Sequence, residues 1–115
     1  MNPYRGEVEI ELGGSVRVMR PTFEAITEIE SRVGVGIVEL VRRFQGNEWR
    51  TADVVIVVRS GLKGAEGKER TLNEVGSWVF EAGVIQCATV ALKLLVNGLT
   101  GGKTAEENPP EPAAG

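Results

Sequence analysis

The chain has 115 residues, 42% of them hydrophobic and 25% charged, with 13 basic against 16 acidic side chains and a formal net charge of −3. This is the make-up of one ordinary globular domain, large enough to bury about two-thirds of its unfolded surface, and it argues against a general attraction to nucleic acid or to an anionic membrane. Histidine is absent and Cys87 is the single cysteine, which removes the commonest general base and metal ligand, excludes an intrachain disulfide and suits a reducing cytoplasm.

Met-Asn-Pro-Tyr-Arg-Gly-Glu at the start contains no apolar signal core. Glu7 to Leu12 then alternates strictly between carboxylates and apolar side chains, the pattern of a half-buried strand. Gly13-Gly14 marks a turn, and Val16-Arg17-Val18-Met19 is the return strand. A three-residue Gly13-Gly14-Ser15 loop sets Leu12 opposite Val16 and Ile10 opposite Val18, with Glu11 facing Arg17 as an ion pair; a two-residue loop would set Ile10 opposite Arg17. The first register gives one apolar face and is the expected one. Because a lone hairpin is marginal in water, its apolar face must lie on helices or join a partner's sheet.

Pro21 ends the strand and Thr22 is placed to cap a helix. Phe23, Ile26, Ile29 and Val33 fall near one face of that helix, with Glu24, Glu28 and Arg32 on the other and Glu28 and Arg32 at ion-pair spacing. After Gly34-Val35-Gly36, the repeat of Ile37, Leu40, Val41 and Phe44 predicts a second amphipathic helix. Gly46 to Trp49 reads as a loop. Thr51-Ala52-Asp53 looks like a cap with an acidic first turn, whereas the five β-branched residues Val54 to Val58 read locally as a buried strand. The cap signal favours a helix there.

Three glycines and five charges make Gly61 to Arg70 a mobile loop by expectation. Thr71-Leu72-Asn73-Glu74 fits the capping box that opens a helix. Its apolar positions Leu72, Val75, Val79 and Ala82 continue into Val84, Cys87, Ala88, Ala91, Leu92 and Leu95, with Gly83 either splitting the run or kinking it and Gly98 as the stop. Gly83 to Leu99 is the most apolar segment, but it is interrupted by Gln86, Lys93 and Asn97 and falls short of the ~20 residues that a membrane crossing needs. It reads as a core helix. Thr100 to Gly115 has no large apolar residue and is rich in proline and glutamate, so a disordered acidic tail is expected beyond a single domain at 1–99. The fold class is α+β, mainly α, with an N-terminal β-hairpin packed on four to five helices.

The hairpin with its glutamate-rich first strand, followed by Arg-Pro-Thr-Phe-Glu-Ala-Ile-Thr-Glu-Ile-Glu running into Val-Gly-Val-Gly-Ile-Val-Glu-Leu, resembles the small tail-assembly proteins of gene transfer agents and related long-tailed phages. That family is described both as tail assembly chaperone and as tail tube protein. The resemblance spans about residues 5 to 99, is densest from Gly6 to Leu40, and implies a helix at 54–58. It also implies a cytoplasmic tail assembly chaperone that binds the tape-measure and tail tube proteins; the alternative is a structural tube or tube-end component. Tail tubes are generally built from β-sheets joined between subunits, and one hairpin counts against that alternative.

Residue chemistry points the same way, to an interaction protein with no enzymatic activity and no cofactor. Cys87 sits mid-helix on an apolar face as a small buried hydrophobe. Glu7, Glu9 and Glu11 read as a solvated strand face, since Ca²⁺ sites collect their oxygens from tight loops. Gly101-Gly102-Lys103-Thr104 lacks the strand and helix that a phosphate loop requires. Arg42, Arg43, Arg50, Arg59 and Lys63 form a basic group around Trp49, but Glu39, Glu48 and Asp53 are interspersed, so no nucleic-acid partner is expected. Tryptophan is enriched among interface anchors. Trp78 is core or contact, whereas Trp49 in a polar loop is the better contact, and the candidate partner-binding residues are Trp49, Arg42, Arg43 and Phe44.

Overall fold

The structure, a computed structural model, describes residues 6–101. In chain order these form β1 (Val8–Leu12), β2 (Ser15–Met19), α1 (Phe23–Val33), α2 (Ile37–Gln45), α3 (Thr51–Glu66), α4 (Leu72–Ala82) and α5 (Val84–Thr100). The α+β, mainly helical architecture is as expected.

The hairpin takes the other register. Leu12 pairs with Ser15, Glu11 with Val16, Ile10 with Arg17 and Val8 with Met19, so the loop is the two residues Gly13-Gly14. Both have positive φ, 59° and 79°, as the two-residue turn that matches strand twist demands. Val8, Ile10, Leu12 and Met19 are buried on the inner face. Arg17 shares that face, and the expected ion pair with Glu11 gives way to a different neighbourhood. Its guanidinium stacks 4.1 Å from the Trp78 ring centre, its Nε donates to the Leu12 carbonyl at 3.0 Å, and Glu66 lies 4.0 Å away. A cation over an indole face is stabilised by the ring quadrupole, so an arginine fits where an apolar side chain was expected. Val16 is turned outward instead and is 59% exposed. Of the three strand carboxylates, Glu9 and Glu11 are exposed, whereas Glu7 pairs with Arg20.

Thr22 caps α1, its hydroxyl accepting from the Ala25 amide at 3.0 Å. At the other end Glu30 accepts from the Ile37 amide at 2.9 Å, so a carboxylate from one helix neutralises the positive end of the next. Ile37, Leu40, Val41 and Phe44 are all buried, as their spacing predicts, but Phe23, assigned to the inner face of α1, is 81% exposed, and Ala25 is buried in its place.

Residues 54–58 are helical. The first residue of α3 is preceded by Arg50 as the capping position, and it is Asp53, not Thr51, that closes the end by accepting from the Arg50 amide at 2.9 Å. β-Branched residues cost a helix up to about 0.7 kcal/mol each, whereas burying a valine returns about 1.5 kcal/mol or more. Val54, Val57 and Val58 have no exposed surface, so burial wins. This is the central helix, packed against β2, α1, α4 and α5.

The loop expected from Gly61 begins later, because α3 runs on to Glu66. Gly61 and Gly64 are where the chain leaving β2 crosses the helix. The Arg20 amide donates to the Gly61 carbonyl at 2.9 Å, and a Cβ on Gly64 would lie 2.3 Å from the Arg20 carbonyl oxygen. Glycine is used here for close approach.

α4 opens on Thr71, whose hydroxyl accepts from the Glu74 amide at 3.0 Å. Val75 and Val79 face inward, while Leu72 and Ala82, expected on the same face, are exposed. Gly83, at φ 107°, splits the run into two helices bent by 114°. α5 does not stop at Gly98; it continues to Thr100 and ends on Gly101 in the left-handed region. Among its polar interruptions Gln86 and Lys93 are exposed, but Asn97 is buried and its amide donates to the Gly6 carbonyl at 2.9 Å. Among the described residues no single helix is long and apolar enough to cross a membrane. Of the tail expected to be disordered from Thr100 to Gly115, Thr100 is the last residue of α5 and Gly101 its cap, and residues 102–115 lie outside the described residues.

Candidate partner-binding surface

The segment singled out by sequence begins at the C-terminus of α2. Glu48 N donates to the Arg43 carbonyl at 2.8 Å, and Asn47 takes the one positive φ of a non-glycine residue among those described, 57°. The chain thus folds back over the helix end and delivers Trp49 onto Phe44, ring centres 6.5 Å apart. Asp53, fully buried, ties the return. It accepts from the Arg50 amide, from Arg50 Nη2 at 3.2 Å and from Arg43 Nη1 at 3.3 Å.

The four candidate residues therefore divide. Phe44 is buried in the core and supports Trp49 from beneath. Arg43 is held by Asp53, and Arg42 is exposed, 3.3 Å from Glu39 on its own helix. Trp49 is half-buried and lines a cleft of about 190 Å³ with Phe44, Gln45, Asn47, Ile85, Ala88, Thr89 and Leu92. Among the described residues no charged side chain borders it. The α5 side, above all Ile85 at 75% exposure, escapes sequence reasoning, because the helical period gives α5 a face but not the neighbour across from it.

The basic group does not form one patch. Arg42, Arg43 and Arg50 are paired around the α2–α3 connection, whereas Arg59 is 7% exposed and bridges α1 and the α3–α4 loop. It donates to Glu28 at 3.0 Å, Glu69 at 2.7 Å and the Arg70 carbonyl at 2.6 Å. Lys63 joins this cluster 3.1 Å from Glu69. Burial works to raise the Glu28 pKa, but hydrogen bonds from Arg59 and Arg32 and the charge of Lys63 outweigh it and hold the carboxyl below its ordinary value. The hydrogen bond and charge of Lys63 do the same for Glu69. Cations engaged in this way are not free to displace counterions from a phosphate backbone.

A second set of contacts surrounds Trp78. Arg17 covers one side, and Arg70, 5.0 Å from the ring centre, is the second cation on it. Glu66 and Glu74 hold Arg70 at 3.0 and 3.3 Å and keep its pKa raised, chiefly through the hydrogen bond that Arg70 donates to Glu66. Trp78 on α4 thereby joins the hairpin to the α3–α4 loop, and of its two sequence readings the structural one describes its surroundings. The Cys87 thiol is buried on α5, and desolvation pushes its pKa up, the opposite of what activates a cysteine nucleophile.

Several large apolar side chains remain at the surface: Phe80 at 75%, together with Leu72 on α4, Phe23 on α1, Val38 on α2 and Leu99 on α5. A helical body with an apolar cleft and exposed aromatic side chains has the means to hold another protein. No curated protein and no solved structure gives a significant match to the chain. Residues 5–101, from the hairpin to the end of α5, match the family described as phage tail tube protein, GTA-gp10, and the chain belongs to that family of phage tail proteins.

Proposed function

We propose that the protein is a tail assembly chaperone of a gene transfer agent or prophage. It acts in the cytoplasm by binding, carries out no chemical reaction, and holds the tape-measure protein while tail tube subunits assemble around it. The observation that carries this reading is the distribution of apolar surface. Trp49, Ile85 and Leu92 line an uncharged cleft between helices, and Phe80 stands out from α4, so that, apart from Val16 on β2, the large apolar side chains exposed among the described residues belong to helices. The only sheet among the described residues is the hairpin, with Glu9 and Glu11 on its outer side. Such charges discourage strand addition at an edge.

Co-expression with tape-measure and tail tube proteins from the same genome is the direct test. Co-purification that Trp49→Ala or Ile85→Ser abolishes is the expected result. Tails of normal number and length after deletion of the gene, with no co-purification, would overturn it. A second reading, a structural tube or tube-end component, is favoured by the family's own description as a tail tube protein. Mass spectrometry of purified particles separates the two, since a chaperone is scarce or absent there and a tube protein abundant.

A further inference from the structure

We infer that the outer face of α4 is a docking surface for a partner helix with basic edges. Leu72, Gly76 and Phe80 follow one another at four-residue spacing, one above the next on the helix surface, and with Asn73 and Ser77 they border an open cleft of about 560 Å³. Leu72 and Phe80 are both exposed, so the middle of the stripe is a dip between two apolar side chains.

Gly76 is the informative residue. Glycine inside a helix is destabilising relative to alanine, and in α3 that loss has a reason, because a Cβ on Gly61 or Gly64 would collide with its neighbours. At Gly76 a Cβ would meet only the Val55 methyls, at 3.9 and 4.0 Å, an ordinary contact. Nothing inside the fold requires glycine there. What the missing Cβ provides is a place where a second helix can approach closely, since interaxial distance depends on side-chain size at the crossing, with Leu72 and Phe80 gripping it on either side as spaced anchors.

Charge selects the occupant. α4 carries Glu74 and Glu81 and no basic residue. Glu74 is engaged by Arg70, but Glu81 is exposed, has no ion pair among the described residues, and borders both this cleft and the neighbouring one, where Glu11 is exposed as well. A helix with an apolar seam and lysine or arginine along its edges meets those carboxylates, while a second copy of α4 would bring only like charge. The surface holds for either tail role.

The test uses the full chain as bait against a displayed library of amphipathic helices of about 18 residues, with small and apolar seams and edges varied among Lys, Gln and Glu. Enriched helices are expected to carry basic edges and to bind about tenfold or more tightly than their Glu-edged counterparts. Gly76→Leu and, independently, Phe80→Ser should each weaken them about tenfold, with cooperative unfolding retained. Glu81→Lys should weaken them about threefold and reduce the salt dependence. The proposal is overturned if no helix is enriched, if acidic edges win, or if binding is indifferent to both Gly76→Leu and Phe80→Ser. It is equally overturned if the bait self-associates through this face, shown by a dimer that Gly76→Leu abolishes.

Discussion

Gly64→Ala tests the packing at the centre of the fold. Were Gly61 to Arg70 a solvated loop, an added methyl would be almost without effect. In the structure Gly64 lies in the last turns of α3, and its new Cβ would sit 2.3 Å from the Arg20 carbonyl oxygen, against about 3.3 Å for the closest weak C–H···O approach. The strand exit must retreat by about 1 Å, and it is fastened to the same helix by the Arg20 to Gly61 hydrogen bond. Overpacking costs about 1–3 kcal/mol and weakening a buried backbone bond about 1–3 more, while the helix gains about 0.5–1 kcal/mol from alanine. A net loss of about 1–5 kcal/mol follows, centred on about 3 kcal/mol, or a fall in Tm of about 12 °C at about 4 °C per kcal/mol. Gly76→Ala is the matched control: the same change in a helix with room for the methyl, expected to raise stability by about 0.5–1 kcal/mol. Urea denaturation followed by far-UV circular dichroism gives both numbers. A Gly64→Ala protein as stable as the parent, or two variants of equal effect, would refute the packing argument.

Other outcomes follow from the interior. Ser60 is fully buried and its hydroxyl has no hydrogen-bond partner among the described residues, so Ser60→Ala should stabilise by about 1 kcal/mol in the same assay. Glu28 and Glu69 are both held below their ordinary pKa; the stability they lend is complete above the usual carboxylate range and is lost as pH falls through their folded values. Denaturation midpoints should therefore decline below about pH 4.5, and Arg59→Met should flatten that decline. Cys87, buried with a raised pKa, should resist a thiol reagent at pH 8 and react only as urea unfolds the chain.

The elements were largely legible because their signals are local. Alternation from Glu7 to Leu12, the α2 repeat and the Thr22 and Thr71 caps each depend on residues a few positions apart. What sequence missed was decided by distant groups. The hairpin register looked settled by the wish to put Val16 and Val18 inside, yet Trp78, some sixty positions on, supplies the surface that makes Arg17 acceptable there. Gly61 and Gly64 looked like loop punctuation because the strand exit that needs their missing Cβ atoms lies at Arg20. Gly98 looked like a stop for a similar reason: a Cβ there would meet Ile26 at 2.9 Å, so it too serves close packing within a helix.

The candidate surface was less legible, because a charge or an aromatic ring is free only after its partners have been subtracted. Arg59 reaches Glu28, which is far away in sequence, and Arg43 reaches Asp53 across the loop; both subtractions remove cations that composition alone leaves on the surface. Phe44 is removed likewise, since it supports Trp49. Among the described residues, the large apolar side chains left at the helix surfaces include Phe80 and Leu72 beside Gly76, and Ile85 across from Trp49. Exposed aromatic and branched side chains gain little from burial where they stand, so the concentration of Leu72, Phe80, Ile85 and Leu99 on two neighbouring helices, rather than in the core, is the physical reason for proposing that these helices meet a partner.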